Sequence, residues 1–369
     1  MNNSTNFTIG FIGLGLIGGS LAKNVRRVYP NYQIIGFDTD SDTLAKALEE
    51  GTLSKAAFSV DQTFAGCDYL FLCAPVSYNI EYLKTLKGIL KEDCILTDVG
   101  SVKGPIHEAV KRLDMEASFI GGHPMVGSEK AGFSFGSDRL IENAYYFITP
   151  TDTVPQEKVR EFSQFIEELG ALTVTISPKR HDSITASISH VPHIIAAELV
   201  HLVRRMDDES GMLKQLAAGG FKDITRIASS SPTVWEQISM ENMDNIRDLL
   251  IQAIDDLQNM VDALGQKNGP FINEYFKDAG EYRDSVPDSA TGLLQKSYEL
   301  FVDIPDEPGT IAGTTTYLAL NNISIKNLGI IHNREFEEGV FKIVLYDEKS
   351  AKKAYKVLRD RNYNVHIRS

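Results

Sequence analysis

The sequence predicts an α/β chain in three parts: a doubly wound parallel sheet over residues 1–176, an all-α domain over 177–284 and, after a linker at 285–296, a small ferredoxin-like unit over 297–369. Three observations predict it. Short apolar runs rich in β-formers alternate with helical patterns as far as Ile176. Strand signals then stop for about a hundred residues. They return after Ser285–Gly292, a stretch rich in Ser, Pro, Asp and Gly that reads as a linker.

In the first part the predicted strands are Phe7–Ile12, Gln33–Phe37, Tyr69–Pro75, Ile95–Val99, Ser118–Gly121, Tyr145–Ile148 and Leu172–Ile176. Their apolar runs are continuous rather than alternating, as strands of a parallel sheet must be when helices cover both faces. Ser177 and Pro178 read as a helix N-cap and first-turn proline. Ser231 and Pro232 repeat that signal, and Ile246, Leu249, Leu250, Ile254, Leu257, Val261 and Leu264 then keep three- and four-residue spacing to Gly265. Helical domains of this kind bury such stripes against a twin subunit, which predicts a homodimer. In the last part, strands at Tyr298–Ile304, Ile323–Ile330, Val340–Tyr346 and Tyr363–Ile367 and helices at Thr310–Leu320 and Ser350–Arg361 make the order β-α-β-β-α-β.

Composition removes whole classes of function. A formal net charge of −13 disfavours nucleic-acid partners, which need clustered cations to neutralise phosphates. No run reads as apolar enough for a membrane span and no leader pattern opens the chain, so a cytoplasmic protein is expected. Cys67, Cys73 and Cys94 form no paired motif and read as reduced structural thiols; no metal site is expected.

Gly13, Gly15 and Gly18 follow a predicted strand and, with Leu16 and Ile17, open a helix. That context makes the G-x-G-x-x-G spacing a Rossmann-like dinucleotide fingerprint: a tight turn, close backbone approach to a pyrophosphate, and helix against strand. Asp38 ends the next strand about 20 residues on, where a carboxylate accepts from ribose hydroxyls and repels a 2′-phosphate. The cofactor expected is NAD.

Two polar segments follow later strands, where open α/β sheets bind ligands: Asp98–Lys103 and Gly121–Gly132. With the fingerprint and Gly219–Arg226, they resemble the prephenate dehydrogenase family from Phe7 to about Arg283. The resemblance implies oxidative decarboxylation of prephenate by NAD to 4-hydroxyphenylpyruvate, carbon dioxide and NADH, in tyrosine biosynthesis. Such chemistry asks for a base near neutral pH, and His123 is the candidate. It asks for a cation to grip a carboxylate of the dianion, and Arg226 matches the family's arginine. Ser101 is expected to hydrogen-bond the substrate hydroxyl or His123, and to lie beside the cofactor. His193 is expected to reach the site from the Ser189–His193 motif, with Lys222, Asp223 and Trp235 lining or closing it and Glu129 and Lys130 gating or orienting it. His107, His181, His201, His332 and His366 have no motif and read as surface or packing residues.

The last part resembles an ACT domain, an amino-acid sensor. Asp306, Pro308, Gly309 and Asn322 are its candidate effector residues, and tyrosine, the pathway product, is the natural effector. Two rivals stay open: arogenate dehydrogenase, whose substrate carries an ammonium in place of the ketone, and a catalytically silent NAD and amino-acid sensor.

Overall fold

The computed structural model describes residues 7–127, 130–286, 298–305, 307–331 and 339–368. Glu129, Asp306, His332 and all but the first two residues of the expected linker lie outside them. The chain divides into two compact units, residues 1–290 and 291–369.

The first unit opens with β1 (Thr8–Ile12), α1 (Leu16–Val28), β2 (Gln33–Phe37), α2 (Ser41–Glu49), β3 (Lys55–Ala57), β4 (Tyr69–Leu72), α3 (Val76–Leu86), β5 (Ile95–Asp98) and α4 (Gly104–Arg112). Its five strands pair in parallel in the order β3-β2-β1-β4-β5, so β1 lies at the centre with Ile9 opposite both Ile34 and Tyr69. Phe11, Phe71, Phe162 and Phe165 gather on one face as stacked and tilted rings. Leu21, Ala22 and Val25 bury the inner stripe of α1 in the same core.

Then come β6 (Ile120–Pro124), β7 (Tyr145–Pro150), α5 (Gln156–Glu168) and β8 (Leu172–Thr175). Here the expectation of one wholly parallel sheet needs correcting. These strands form a separate sheet in the order β6-β7-β8, and β6 runs antiparallel to β7. One parallel bridge, Leu96 to Phe119, joins it to β5. The chain between β6 and β7 crosses α1, where Phe133 packs on Gly19 so tightly that an added Cβ would lie 2.7 Å from the ring. That detour brings the chain back in the reverse direction, and strand periodicity carries no sign of it. The short edge strand β3 was also not anticipated, since three residues beginning with an exposed lysine carry almost no pattern.

The helical segment comprises α6 (Pro178–Thr185), a π turn at Ala186–His190, α7 (Val191–Met206), α8 (Met212–Leu216), α9 (Gly219–Thr225), α10 (Pro232–Glu241), α11 (Met243–Gly265) and α12 (Gly269–Ser285). The Ser177 hydroxyl caps α6 by accepting from the Arg180 amide at 3.3 Å. Pro192 lacks an amide hydrogen and crowds the carbonyl four residues back, so the widened turn just before it relieves the clash. The start signal at Ser231 and Pro232 is correct, but no single helix runs from it to Gly265. Asn242, at φ −115° and ψ 29°, interrupts it and turns its side chain to the Asp182 carbonyl at 2.8 Å. A second correction concerns membranes: Pro178–Met206 is, by length and composition alone, long and apolar enough to cross one. The same helical run carries Asp182, His181, His190 and His193, all buried or half-buried.

The second unit holds β9 (Tyr298–Ile304), α13 (Thr310–Leu320), β10 (Ile325–Ile331), β11 (Gly339–Leu345), α14 (Glu348–Arg359) and β12 (Asn364–Arg368). Its strands are antiparallel in the order β10-β11-β9-β12, the ferredoxin-like arrangement expected. Leu300, Val302, Phe341, Ile343 and Leu358 form its core.

Candidate active site

The glycine turn is shaped from within. Gly13 sits at φ +96°, and a Cβ there would lie 2.8 Å from the Ala74 amide nitrogen. At Gly18 a Cβ would meet the Gly13 carbonyl at 2.1 Å and the Cys73 side chain at 2.7 Å, so α1 can approach β1 only without a side chain. Gly15 has nothing within 4 Å of such a Cβ. It is the N-cap of α1 and supplies no capping side chain, and the next residues, Leu16 and Ile17, belong to a first turn whose amides have no intrahelical acceptor. A cleft of about 380 Å³ opens here, lined by Gly13, Gly15, Asp38, Cys73, Pro75 and Tyr78 among others. The Asp38 carboxylate is held at its rim, one oxygen accepting from the Leu14 amide at 2.7 Å and the other from the Asp40 amide at 2.9 Å. A more open hollow of about 440 Å³ lies beside Lys23 and Arg27, but those cations are already paired with Glu50, Asp138 and Glu142. Cys73 is a half-buried wall of the first cleft; desolvation pushes its thiol far up, and pushes the buried Cys67 and Cys94 to about 12.

Beyond β5 and β6 lies a buried polar cluster. Asp98 and Lys103 are wholly buried and paired. The Lys103 ammonium also donates to the Gly122 carbonyl at 2.6 Å, while Asp98 accepts from the amides of Gly100 at 2.9 Å and Gly122 at 3.3 Å. This pair therefore clamps the strand that carries His123 against the Asp98–Lys103 loop. Asp182 reaches in from α6 and accepts from the amides of Lys103 and Gly104, each at 2.7 Å, capping α4 from outside. His181 Nδ1 lies 2.8 Å from Asp182, and His181 Nε2 lies 2.8 Å from His123 Nδ1. Burial pushes His123 well below the ordinary imidazole value, with His181, Lys103 and His190 adding to the push.

Of the two partners expected for Ser101, the substrate hydroxyl or His123, the second is not reached: His123 bonds His181, and the half-buried Ser101 hydroxyl has no hydrogen-bond partner among the described residues. His181, read as a surface or packing residue, is not at the surface: it is wholly buried and makes that contact with His123. His107, also passed over, bonds the Thr149 hydroxyl at 3.0 Å and is pushed down to about 4 by burial and Lys103.

The remaining candidates form a second group. His193 stacks on Trp235 with ring centroids 3.8 Å apart, and its Nδ1 faces the Ser189 carbonyl at 2.8 Å. Burial lowers its pKa, and the nearby Arg226 charge adds to that. Arg226 directly follows α9, on whose exposed face lie Lys222 and Asp223. His190 touches the same Trp235, with centroids 6.1 Å apart, and lies close enough to depress His123. The rings thus form two groups, His123 with His181, and His190 and His193 on Trp235; Arg226 lies close enough to the second to act on His193 through its charge. Lys130 is exposed and sits over the Phe135 ring at 5.3 Å. In the second unit, Pro308 precedes Gly309, which at φ +93° opens α13, and Asn322, at φ +53°, closes it with its amide on the Ala319 carbonyl at 2.9 Å. Asn322 thus serves as a left-handed helix stop.

Comparison with known proteins gives a consistent picture. The family model described as "Prephenate dehydrogenase, nucleotide-binding domain" matches residues 21–175, and "Prephenate dehydrogenase, dimerization domain" matches residues 177–278. The chain is 36% identical to the prephenate dehydrogenase of Bacillus subtilis over 362 residues, 97% of each chain. It is 31% identical to that of Lactococcus lactis over 340 residues, 90% of this chain and 92% of the relative. Among solved structures, the prephenate dehydrogenase of Aquifex aeolicus in complex with hydroxyphenyl propionate and NAD+ is similar at 30% identity and a TM-score of 0.72, covering 76% of this chain and 98% of its own. The arogenate dehydrogenase of Synechocystis follows at 29% and 0.67, over 75% of this chain and 99% of its own.

Proposed function

The chain belongs to the prephenate dehydrogenase family, and on that premise we propose that it is an NAD-dependent oxidoreductase that converts prephenate to 4-hydroxyphenylpyruvate and carbon dioxide. The observation that carries this reading is an imidazole, His123, held neutral by burial and backed by the buried, hydrogen-bonded His181 and Asp182.

The nucleotide cleft fits the cofactor: a Cβ at Gly15 would project only into open space, the start of α1 is uncapped, and Asp38 stands ready for a ribose. Gly13, Gly15 and Gly18, with the amides of Leu16 and Ile17, would hold the pyrophosphate. Asp38 would take the ribose hydroxyls and turn away a 2′-phosphate. The chemistry that bound NAD would supply is a hydride acceptor for the ring carbon that bears the hydroxyl. His123 takes that hydroxyl's proton, and Ser101, whose hydroxyl is uncommitted, orients the same oxygen. Arg226 grips a carboxylate bidentately, with His193 and Trp235 forming the wall beside it and Lys222 and Asp223 lining or closing the pocket; the roles of Glu129 and Lys130, gating or orienting, rest on the family resemblance. The bond from the ring to its carboxylate then breaks; its electron pair moves into the ring, which becomes aromatic with its oxygen as phenolate, and that oxygen takes the proton back from His123, so decarboxylation needs little help from the protein.

The exposed side chains of Ile254, Leu257, Val261 and Leu264 lie along one stripe of α11, and a second copy of this chain is their natural cover. Sedimentation at the mass of one chain at micromolar concentration would refute this homodimer. The second unit is read as an ACT domain sensing tyrosine at Asp306, Pro308, Gly309 and Asn322, and the enzyme as cytoplasmic. The deciding experiment follows NADH absorbance with prephenate or arogenate and with NAD or NADP. Turnover with prephenate and NAD is expected; preference for arogenate, or no turnover at all, would overturn the assignment.

A further inference from the structure

One nitrogen of His123 is used in the proposed reaction, and the other is met by a buried histidine, His181, that is itself backed by Asp182. His181 is wholly buried and Asp182 nearly so, a costly place for both unless their hydrogen bonds do something specific. The placement of hydrogens follows from their chemistry. An ionised carboxylate only accepts, and Asp182 already receives the Lys103 and Gly104 amides, which fix its orientation. Its contact with His181 Nδ1 at 2.8 Å therefore requires the hydrogen to be on that nitrogen. A neutral His181 then has a bare Nε2, and the group facing it at 2.8 Å is His123 Nδ1. That nitrogen must donate, so the hydrogen of His123 sits on Nδ1 and its Nε2 is left bare.

Resting on the reading of His123 as the base, we propose that His181, oriented by Asp182, is a positioning residue that holds His123 in the Nδ1–H tautomer with Nε2 free to accept the substrate's hydroxyl proton. The other tautomer would place a hydrogen on the atom that has to receive one. Charging His181 would reverse the pattern, since it would then donate from both nitrogens; burial and the buried Lys103 ammonium keep it neutral. Asp182 also ties the arrangement to packing: the carboxylate that sets the tautomer is the one that docks α6 onto the start of α4.

The test uses the whole enzyme labelled with nitrogen-15 in histidine, the His123→Asn variant identifying the His123 signals. In the wild type, His123 is expected to show a protonated Nδ1 and a bare Nε2. His181→Asn removes the acceptor, so the hydrogen should move wholly or partly to Nε2, and kcat should fall on the order of 10- to 100-fold, the range for losing a partner that orients an imidazole. KM for prephenate and the affinity for NAD should stay within about twofold, because neither ligand is bound by His181. In His181→Gln an amide oxygen can stand where Nε2 stood, so this variant should recover the tautomer and part of kcat. A wild-type His123 protonated at Nε2, or a His181→Asn enzyme with unchanged tautomer and kcat, overturns the proposal. If His181→Asn does not fold, the wild-type spectrum and His181→Gln decide it. The spectra need no substrate, so an enzyme with the expected tautomer that ignores prephenate would count against the assigned function and not against this hydrogen-bond pattern.

Discussion

At the scale of single residues, the site works through what each side chain is prevented from doing. Burial and the nearby Lys103 charge keep His123 neutral, so the acid limb of kcat/KM should lie below the pH at which an ordinary histidine titrates. His123→Asn should lower kcat by about 100-fold or more, the usual worth of a general base, with NAD affinity unchanged. Arg226→Ala should mainly raise the KM for prephenate, because the guanidinium grips ground state and transition state alike. Steady-state kinetics of the two variants check this, and an active His123→Asn enzyme would remove the base from its role. Residue types and motif context made His123, Arg226, Asp38 and the glycines legible. His181, Asp182 and Lys103 were not, because a residue that serves another side chain leaves no local spacing to read.

At the scale of elements, the glycine turn separates two kinds of requirement that one motif hides. Gly18 is required by the fold, since a Cβ there collides with the Gly13 carbonyl; Gly15 is required only by what occupies the open space before α1. Gly18→Ala should therefore cost about 1–3 kcal/mol of stability, as overpacking does, and weaken NAD binding as well. Gly15→Ala should keep the wild-type melting temperature and lose affinity for NAD. Calorimetry and a binding titration distinguish them, and equal stability losses would show the two glycines to be interchangeable. The helices repeat the lesson. Ser177 and Pro178 announced α6 correctly because capping is local. The break at Asn242 was hidden because its cause, the Asp182 carbonyl, lies far away in sequence.

At the scale of the molecule, buried titratable groups link stability to pH. His107 and His190 titrate near 4 in the folded chain, so between about pH 6.5 and 4 the unfolded chain binds more protons and stability falls as pH falls. Glu241 acts in the opposite sense. Burial, aided by Asp182 and Asp98 and opposed by Lys103, raises it to about 7, so the folded chain keeps a proton that the unfolded chain has lost, and stability falls as pH rises from about 4.5 to 7. The histidines outnumber it, so the melting temperature should climb from pH 4.5 to 6.5, and Glu241→Gln should make that climb steeper. A flatter profile in the variant would contradict the assignment.

The strand–turn–helix that receives a dinucleotide, the acidic residue that closes it, the switch to helices after Ile176 and the ferredoxin-like order at the end are all legible in the chain read as text. All of these rest on periodicity, capping and backbone freedom, which act between neighbours in the chain. Only the tertiary structure decided that β6 and β7 run antiparallel, that Asp182 docks α6 onto α4, and that a second histidine stands behind His123. Those contacts join residues 58 and 79 positions apart, and what selects them is the desolvation of charge in a shared interior, a force with no period along the chain.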